Sequence, residues 1–192
     1  MNAFLNYRHP SRRQPPLWLL LVAAALVLVY TRSTRHTEGD RPCAPSDDPS
    51  PDAMESWTAT VVTVADGDTL TLQTEDQRSI RVRLHGIDAP EWQQPGGTAA
   101  RQALARRTLG RPLTVIPIET DAYGRLVAEL YDGTNWINAA LVADGWAWHY
   151  RHHSRSRRLA AAERAARTRR AGIWRDPHPT PPWNWRRQTE RR

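Results

Sequence analysis

From residue 57 onward the apolar positions fall in short runs with a period of two, the signature of strands that turn one face to a core. Trp57 to Val64 is rich in Val and Thr, and alternation resumes at Leu70 and Leu72 after Asp66-Gly67-Asp68, predicting two strands or one bent strand. Thr74 to Arg78 is polar and makes a turn. Ile80, Val82 and Leu84 then alternate with Arg81, Arg83 and His85, giving one core face and one cationic face. Behind Gly96-Gly97 a helix is predicted from about Thr98, as its cap, to Leu109, with Gly110 as terminator. Leu113 to Ile118 reads as a strand. Leu126, Ala128 and Leu130 alternate in the next, which ends at the hairpin signal Asp132-Gly133. Asn138 is placed as the cap of a short helix ended by Gly145. A last helix runs from about Ser156 to Ala171, with Leu159, Ala162, Ala165 and Ala166 as a narrow apolar stripe among arginines. Five strands and three helices make a mainly β, α+β domain over 57–192, with no internal repeat.

Upstream the texture changes. Residues 17–30, LWLLLVAAALVLVY, are an unbroken apolar run behind Pro15, Pro16 and three arginines, Arg8, Arg12 and Arg13, which marks a membrane-targeting segment. Its length is below the roughly 17 to 25 residues of a spanning helix and suits a signal-peptide core. The following TRSTRHTEGD, however, offers no small-x-small cleavage pair, which favours an uncleaved anchor. Either reading puts the folded domain outside the cytoplasm, tethered by residues 17–30 or secreted. Residues 31–56, rich in Pro, Ser, Asp and Thr without apolar period, read as a disordered linker. The single Cys43 excludes an internal disulfide and a Cys-based zinc cluster.

Composition sharpens the choice of partner. All 27 cationic side chains are Arg, against 20 acids, for a net charge of +7. Such a balance favours a polyanion. The charge is also polarised: Arg151–Arg192 holds 13 Arg and three acids, whereas Trp57–Tyr150 holds eight Arg and 11 acids. Within that acidic half, three segments carry charge where a packed β-domain has little use for it: Asp66-Gly67-Asp68-Thr69, Arg83 to Glu91, and Asp121-Ala122-Tyr123-Gly124-Arg125. Asp68, Asp88 and Glu91 offer hard oxygen ligands, and Arg83 and Arg125 offer planar forks for phosphate. Carboxylates beside arginines suit phosphodiester hydrolysis, which needs charge neutralisation, a base for water, and fixed donors for the transition state. Met alone, Asp-Gly-Asp is an ordinary turn and Asp121 to Arg125 an ordinary hairpin. The ordered set says more.

D-G-D-T, R-x-x-x-x-D-x-P-E and D-x-Y-G-R, in this order, closely resemble the staphylococcal nuclease family, and the likeness runs from about Trp57 to Arg187 through WINAALVADGWAW and GIWRDPHPTPPWNWRR. The resemblance implies a five-stranded OB-fold barrel with three helices. It also implies a calcium-dependent endonuclease that hydrolyses DNA and RNA at the 5′ oxygen, prefers single strands and leaves 3′-phosphate ends. By motif position, Asp68 and Asp88 are the side-chain ligands of Ca²⁺, with the carbonyl of Ala89 as a further ligand; Thr at the Ala89 position in the family does not alter a main-chain donor. Glu91 corresponds to the general base and Arg83 and Arg125 to the phosphate clamps. Asp66 falls behind the ligands, and Tyr123 and Tyr150 fall near the bound nucleotide.

Other features are weaker. His149, His152 and His153 match no zinc spacing, and a basic loop near substrate suits them better. Trp183 and Trp185 are expected to pack on the barrel rather than lie at a membrane. A noncatalytic nucleic-acid-binding module on the same fold, and a membrane-surface adaptor built on the Arg-rich tail, are the competing functions. DNA and RNA are the expected partners of a monomer that needs no protein partner.

Overall fold

Val- and Thr-rich stretches that alternate core and solvent positions frame the computed structural model, which describes residues 55–190. The apolar segment 17–30, Cys43 and nearly all of the 31–56 linker lie outside the described residues. In chain order the elements are β1 (Trp57–Val64), β2 (Thr69–Gln73), β3 (Ser79–Leu84), β4 (Ile87–Asp88), α1 (Gly97–Thr108), β5 (Pro112–Thr120), β6 (Leu126–Asp132), β7 (Asn135–Trp136), α2 (Ile137–Ala143), β8 (Trp148–His149), α3 (Arg157–Thr168), a 3-10 turn (Gly172–Arg175) and α4 (Pro182–Thr189).

Strands β3, β2, β1, β5 and β6 follow one another antiparallel, and a parallel pairing of β3 with β6 closes the ring. This is the five-stranded OB-type barrel expected from the sequence. Register shifts between Val61 and Thr63 and between Pro117 and Glu119 supply the local bends that curl a flat sheet into a barrel. Inside lie Val61, Leu70, Leu72, Val82, Leu113, Val115 and Leu130, with Ala103 and Leu104 from α1 and Ile137 and Leu141 from α2. Trp148, Ala166, Ile173 and Trp174 form a separate small cluster, with Trp183 packed against it. That packing agrees with the expectation for Trp183.

The structure corrects several local expectations. There are four helices among the described residues rather than three, because the PPWNWRR stretch folds as α4. Pro182 in its first turn is preorganised for helix and lacks only an N–H that would have no partner there. In α1 the cap is Gly96, at φ 92, and Thr98 lies within the first turn; the helix ends at Thr108, one residue early. Helix α3 starts where expected, behind Ser156, whose hydroxyl caps it by accepting from the Leu159 N–H at 3.1 Å, but it stops at Thr168 rather than Ala171. Its buried face carries Glu163 beside Leu159 and Ala166, with Arg167 at 3.3 Å and Arg151 at 3.6 Å from the carboxylate.

Asn138 is the most instructive correction. It does not cap α2, whose N-cap is Trp136. Its fully buried side chain instead ties the barrel closure. Oδ1 accepts from the Leu130 N–H at 3.1 Å, and Nδ2 donates to the carbonyls of His85 at 3.0 Å and Ala128 at 3.3 Å. Replacing it by Ala leaves buried main-chain groups without partners, so Asn138→Ala is expected to lower stability by about 2–3 kcal/mol in urea unfolding at neutral pH. A loss within the error of the wild-type midpoint would show that the tie carries no stability.

Candidate active site

The Asp66-Gly67-Asp68 turn between β1 and β2 is both a turn and a wall of the site. Asp66 Oδ1 accepts from the Asp68 N–H at 3.0 Å, which fixes the loop. Gly67 is required by close approach: a Cβ there would stand 2.6 Å from Ala89 Cβ and 2.8 Å from Ala100 Cβ. With no side chain in the way, Asp68 reaches under the following loop, where Oδ2 accepts from the Ala89 N–H at 2.6 Å and Oδ1 from the Thr69 hydroxyl at 3.2 Å. Asp88 is held from the other side, on β4, by pairing with Trp148 of β8. Both carboxylates are almost fully buried, at 4% and 1% exposure. Charges in such a place need partners.

Arg83, inward from β3, supplies one. Its guanidinium pairs with Asp68 and donates to Asp88 Oδ1 at 2.9 Å and to the Ile87 carbonyl at 3.2 Å. Burial pulls its pKa below the usual arginine value, while Asp88 and Asp66 hold it up. Burial likewise raises the carboxyl of Asp66, against the pull of Arg83. Arg125 is aimed by its own turn. Asp121 accepts from the main chain of Tyr123 at 3.0 Å and of Arg125 at 2.9 Å, and from Arg125 Nε at 2.8 Å. These hydrogen bonds outweigh burial and keep the Asp121 carboxyl below its ordinary pKa. Glu91 follows Pro90 with its side chain 40% exposed and its N–H bonded to Gln94 Oε1 at 3.1 Å. A Cβ on Gly97 would fall 1.9 Å from the Glu91 carbonyl oxygen, so the first turn of α1 packs directly beneath Glu91.

All the singled-out residues line one cleft of about 520 Å³: Asp66, Asp68, Asp88, Ala89 and Glu91, with Arg83 and Arg125 among them, and Tyr123 and Tyr150. Tyr123 is 85% exposed, with the Arg125 guanidinium 5.5 Å from its ring, and Tyr150 stacks on Trp183 at 5.4 Å. His153 also faces the cleft, as expected for a basic loop near substrate. Among the described residues no group of three or more His, Cys, Asp or Glu side chains could hold a metal by itself.

One cleft residue escaped the sequence reading. Arg186 of α4 donates from Nη1 to Glu91 Oε1 at 2.6 Å and to Asp88 Oδ1 at 3.2 Å, and from Nη2 to Asp88 Oδ2 at 2.9 Å. Desolvation, which would lower its pKa, is outweighed by these carboxylates, so it stays well above the ordinary arginine value. Arg186 lay inside the stretch that resembles the family, just after Trp183 and Trp185, but no apolar period there aims it at the cleft.

A closed OB-type barrel that gathers buried carboxylates, an open one and arginines at one mouth defines a phosphodiester hydrolase. Residues 81–176 match the family described as staphylococcal nuclease homologue. The chain is 40% identical over 148 residues to protein ParB of Escherichia coli, covering 69% of this chain and 80% of that one. It is 37% identical over 149 residues to the micrococcal nuclease of Shigella flexneri, covering 72% and 85%. It is 36% identical over 128 residues to an uncharacterized endonuclease of Escherichia coli O157:H7, covering 66% and 82%. The chain belongs to the staphylococcal nuclease family and is a nuclease.

Beside the cleft, His85 joins the barrel to the Tyr150–Ser154 loop: Nδ1 lies 3.4 Å from Glu129 Oε1 and Nε2 lies 3.0 Å from the His153 carbonyl. Both ring nitrogens face acceptors, which suits the imidazolium, and the Glu129 hydrogen bond raises the His85 pKa above 6.5 despite partial burial. A raised folded-state pKa stabilises most below the unfolded value and loses that contribution as pH climbs through the folded one. The stability gap between wild type and His85→Asn should therefore shrink from about pH 6 to about pH 9, measured by denaturant unfolding. A gap constant over that range would contradict the charged pairing.

Proposed function

We propose that this nuclease is a calcium-dependent, sequence-nonspecific endonuclease that cuts DNA and RNA, prefers single strands and leaves 3′-phosphate ends. The observation that carries this reading is the convergence of Asp68, Asp88 and Glu91 with Arg83 and Arg125 in one cleft from separate turns and strands. The donor set fits a hard divalent cation: Asp68 and Asp88 are buried oxygen donors in one cleft, with the Ala89 main chain between Asp88 and Glu91 in sequence. When bound, Ca²⁺ supplies neutralisation of the nonbridging phosphate oxygens.

Asp68, Asp88 and the Ala89 carbonyl would hold the cation, and Asp66 braces the Asp68 main chain. Glu91, the most open of the carboxylates in the cleft, accepts the proton from the attacking water. Arg83 and Arg125 donate to the oxygens on which charge grows as phosphorus becomes five-coordinate. The P–O5′ bond then breaks, the 5′ oxygen leaves as an alcohol with a proton taken from solvent water, and the phosphate stays on the 3′ oxygen. Contacts of this kind address the phosphate and carry no sequence information. Tyr123 and Tyr150 offer stacking surfaces for unpaired bases, which is why base pairing should hinder the reaction. The Arg-flanked apolar run 17–30 supports a monomer anchored to a membrane, or exported, with its nuclease domain outside the cytoplasm; among the described residues no helix is long and apolar enough to cross one.

The full chain should release acid-soluble nucleotide from heat-denatured DNA with Ca²⁺ and cease to do so with a calcium chelator. Release that persists in chelator would exclude the calcium requirement. Glu91→Gln should slow turnover by roughly 10²-fold to 10⁴-fold while a single-stranded oligonucleotide still binds. Unchanged turnover would remove Glu91 as the base.

A further inference from the structure

Arg186 has no part in the chemistry just described, yet it covers the atoms that chemistry uses. Its guanidinium spans both oxygens of Asp88 and Oε1 of Glu91, reaching them from a helix 95 residues beyond Glu91 in the chain. Asp88 already has one charged partner without it, since Arg83 donates to its Oδ1 at 2.9 Å. The charge of the cleft as a whole leaves room for it. Asp66, Asp68, Asp88 and Glu91 face the cleft, Arg83 offsets one of them, and Arg125 is matched by Asp121. Negative charge remains in excess, and Arg186 offsets one unit of it where a divalent cation would offset two.

Arg83 leaves Asp88 Oδ2 and Glu91 Oε1 free, whereas Arg186 occupies both, so a divalent cation drawn to those oxygens meets a like charge a few Å away in a partly dry cleft. Arg186 also has somewhere to go. Its side chain is 38% exposed, so it can swing into water without opening a void. The rest of α4 is seated by other contacts, with Trp183 stacked on Tyr150 and the Gln94 amide donating to the Thr180 carbonyl just before the helix.

We propose that Arg186 sets the cation affinity of the cleft: it competes for Asp88 and Glu91, and loading a divalent cation displaces it and loosens α4. The inference rests on the cation reading given above. Because coupling between two binding events is reciprocal, whatever Arg186 takes from cation affinity the cation takes from the hold on α4.

The test needs no catalytic turnover. Calcium binding to the full chain is measured by titration calorimetry for wild type, Arg186→Gln, Arg186→Lys and Arg187→Gln. Arg187 is an exposed neighbour on the same helix, so its variant loses equal charge without touching the carboxylates. Arg186→Gln should bind Ca²⁺ about tenfold more tightly than wild type, and Arg187→Gln within about twofold of it. Arg186→Lys keeps the charge that helps seat α4 and lacks the fork, and should fall between. In wild type, saturating Ca²⁺ should speed amide hydrogen exchange over residues 182–189; in Arg186→Gln it should not. Equal or weaker Ca²⁺ affinity in Arg186→Gln, with binding intact in both, overturns the competition and leaves the cation reading standing. Weaker binding of a single-stranded oligonucleotide by Arg186→Gln at unchanged Ca²⁺ affinity would make Arg186 a phosphate contact instead. Absence of Ca²⁺ binding in every form would sink the cation reading and this inference with it.

Discussion

Two carboxylates buried at the mouth of a β-barrel set the terms for everything around them. Asp68 and Asp88 have almost no contact with water, and ionised groups in that position persist only with charged or hydrogen-bonding partners on most of their oxygens. The fold meets this demand from many directions: main-chain N–H from Ala89, a hydroxyl from Thr69, guanidinium groups from β3 and α4. Every one of these partners is positioned by an element that has its own reason to be where it is. Hence the cleft is stiff before substrate arrives, which is what electrostatic stabilisation of a transition state requires.

The strands were legible because each buries one face and shows the other, as in Ile80, Val82 and Leu84 against Arg81, Arg83 and His85. Their closure into a barrel was implied by the family resemblance, and the acidic and basic turns stood out because a β-domain has no structural use for such charge. What sequence reasoning missed depends on partners far along the chain. Asn138 is a residue type that favours helix caps, but Leu130, His85 and Ala128 offered buried partners and tertiary bonding won. Glu163 sits in what looked like an apolar stripe because Arg151 and Arg167 cover it. Gly67 read as a turn former, whereas its deeper constraint is the nearness of Ala89 and Ala100 across the fold. Arg186 could not be found from its neighbours at all, since only the docking of α4 brings it to the acids.

The polarised charge of the chain has a physical reading in this arrangement. The acidic half builds the barrel and the acidic side of the cleft, and the arginine-rich half packs helices against its side while leaving most of its guanidinium groups in water. The two signs of charge therefore stand apart within one domain, so the basic surface can vary with little cost to the acids that line the cleft.

The closing seam of the barrel has one further consequence. Arg83 lies on β3 opposite Val127 of β6, and Arg125 immediately precedes β6, so the two cleft arginines stand on either side of the β3–β6 pairing. This parallel pairing joins stretches more than forty residues apart, the kind of contact that forms late because a long loop must close first. An incompletely folded chain thus has the acids and the arginines in hand but not in one place. Until β3 and β6 pair, nothing in the chain holds Arg83 and Arg125 side by side.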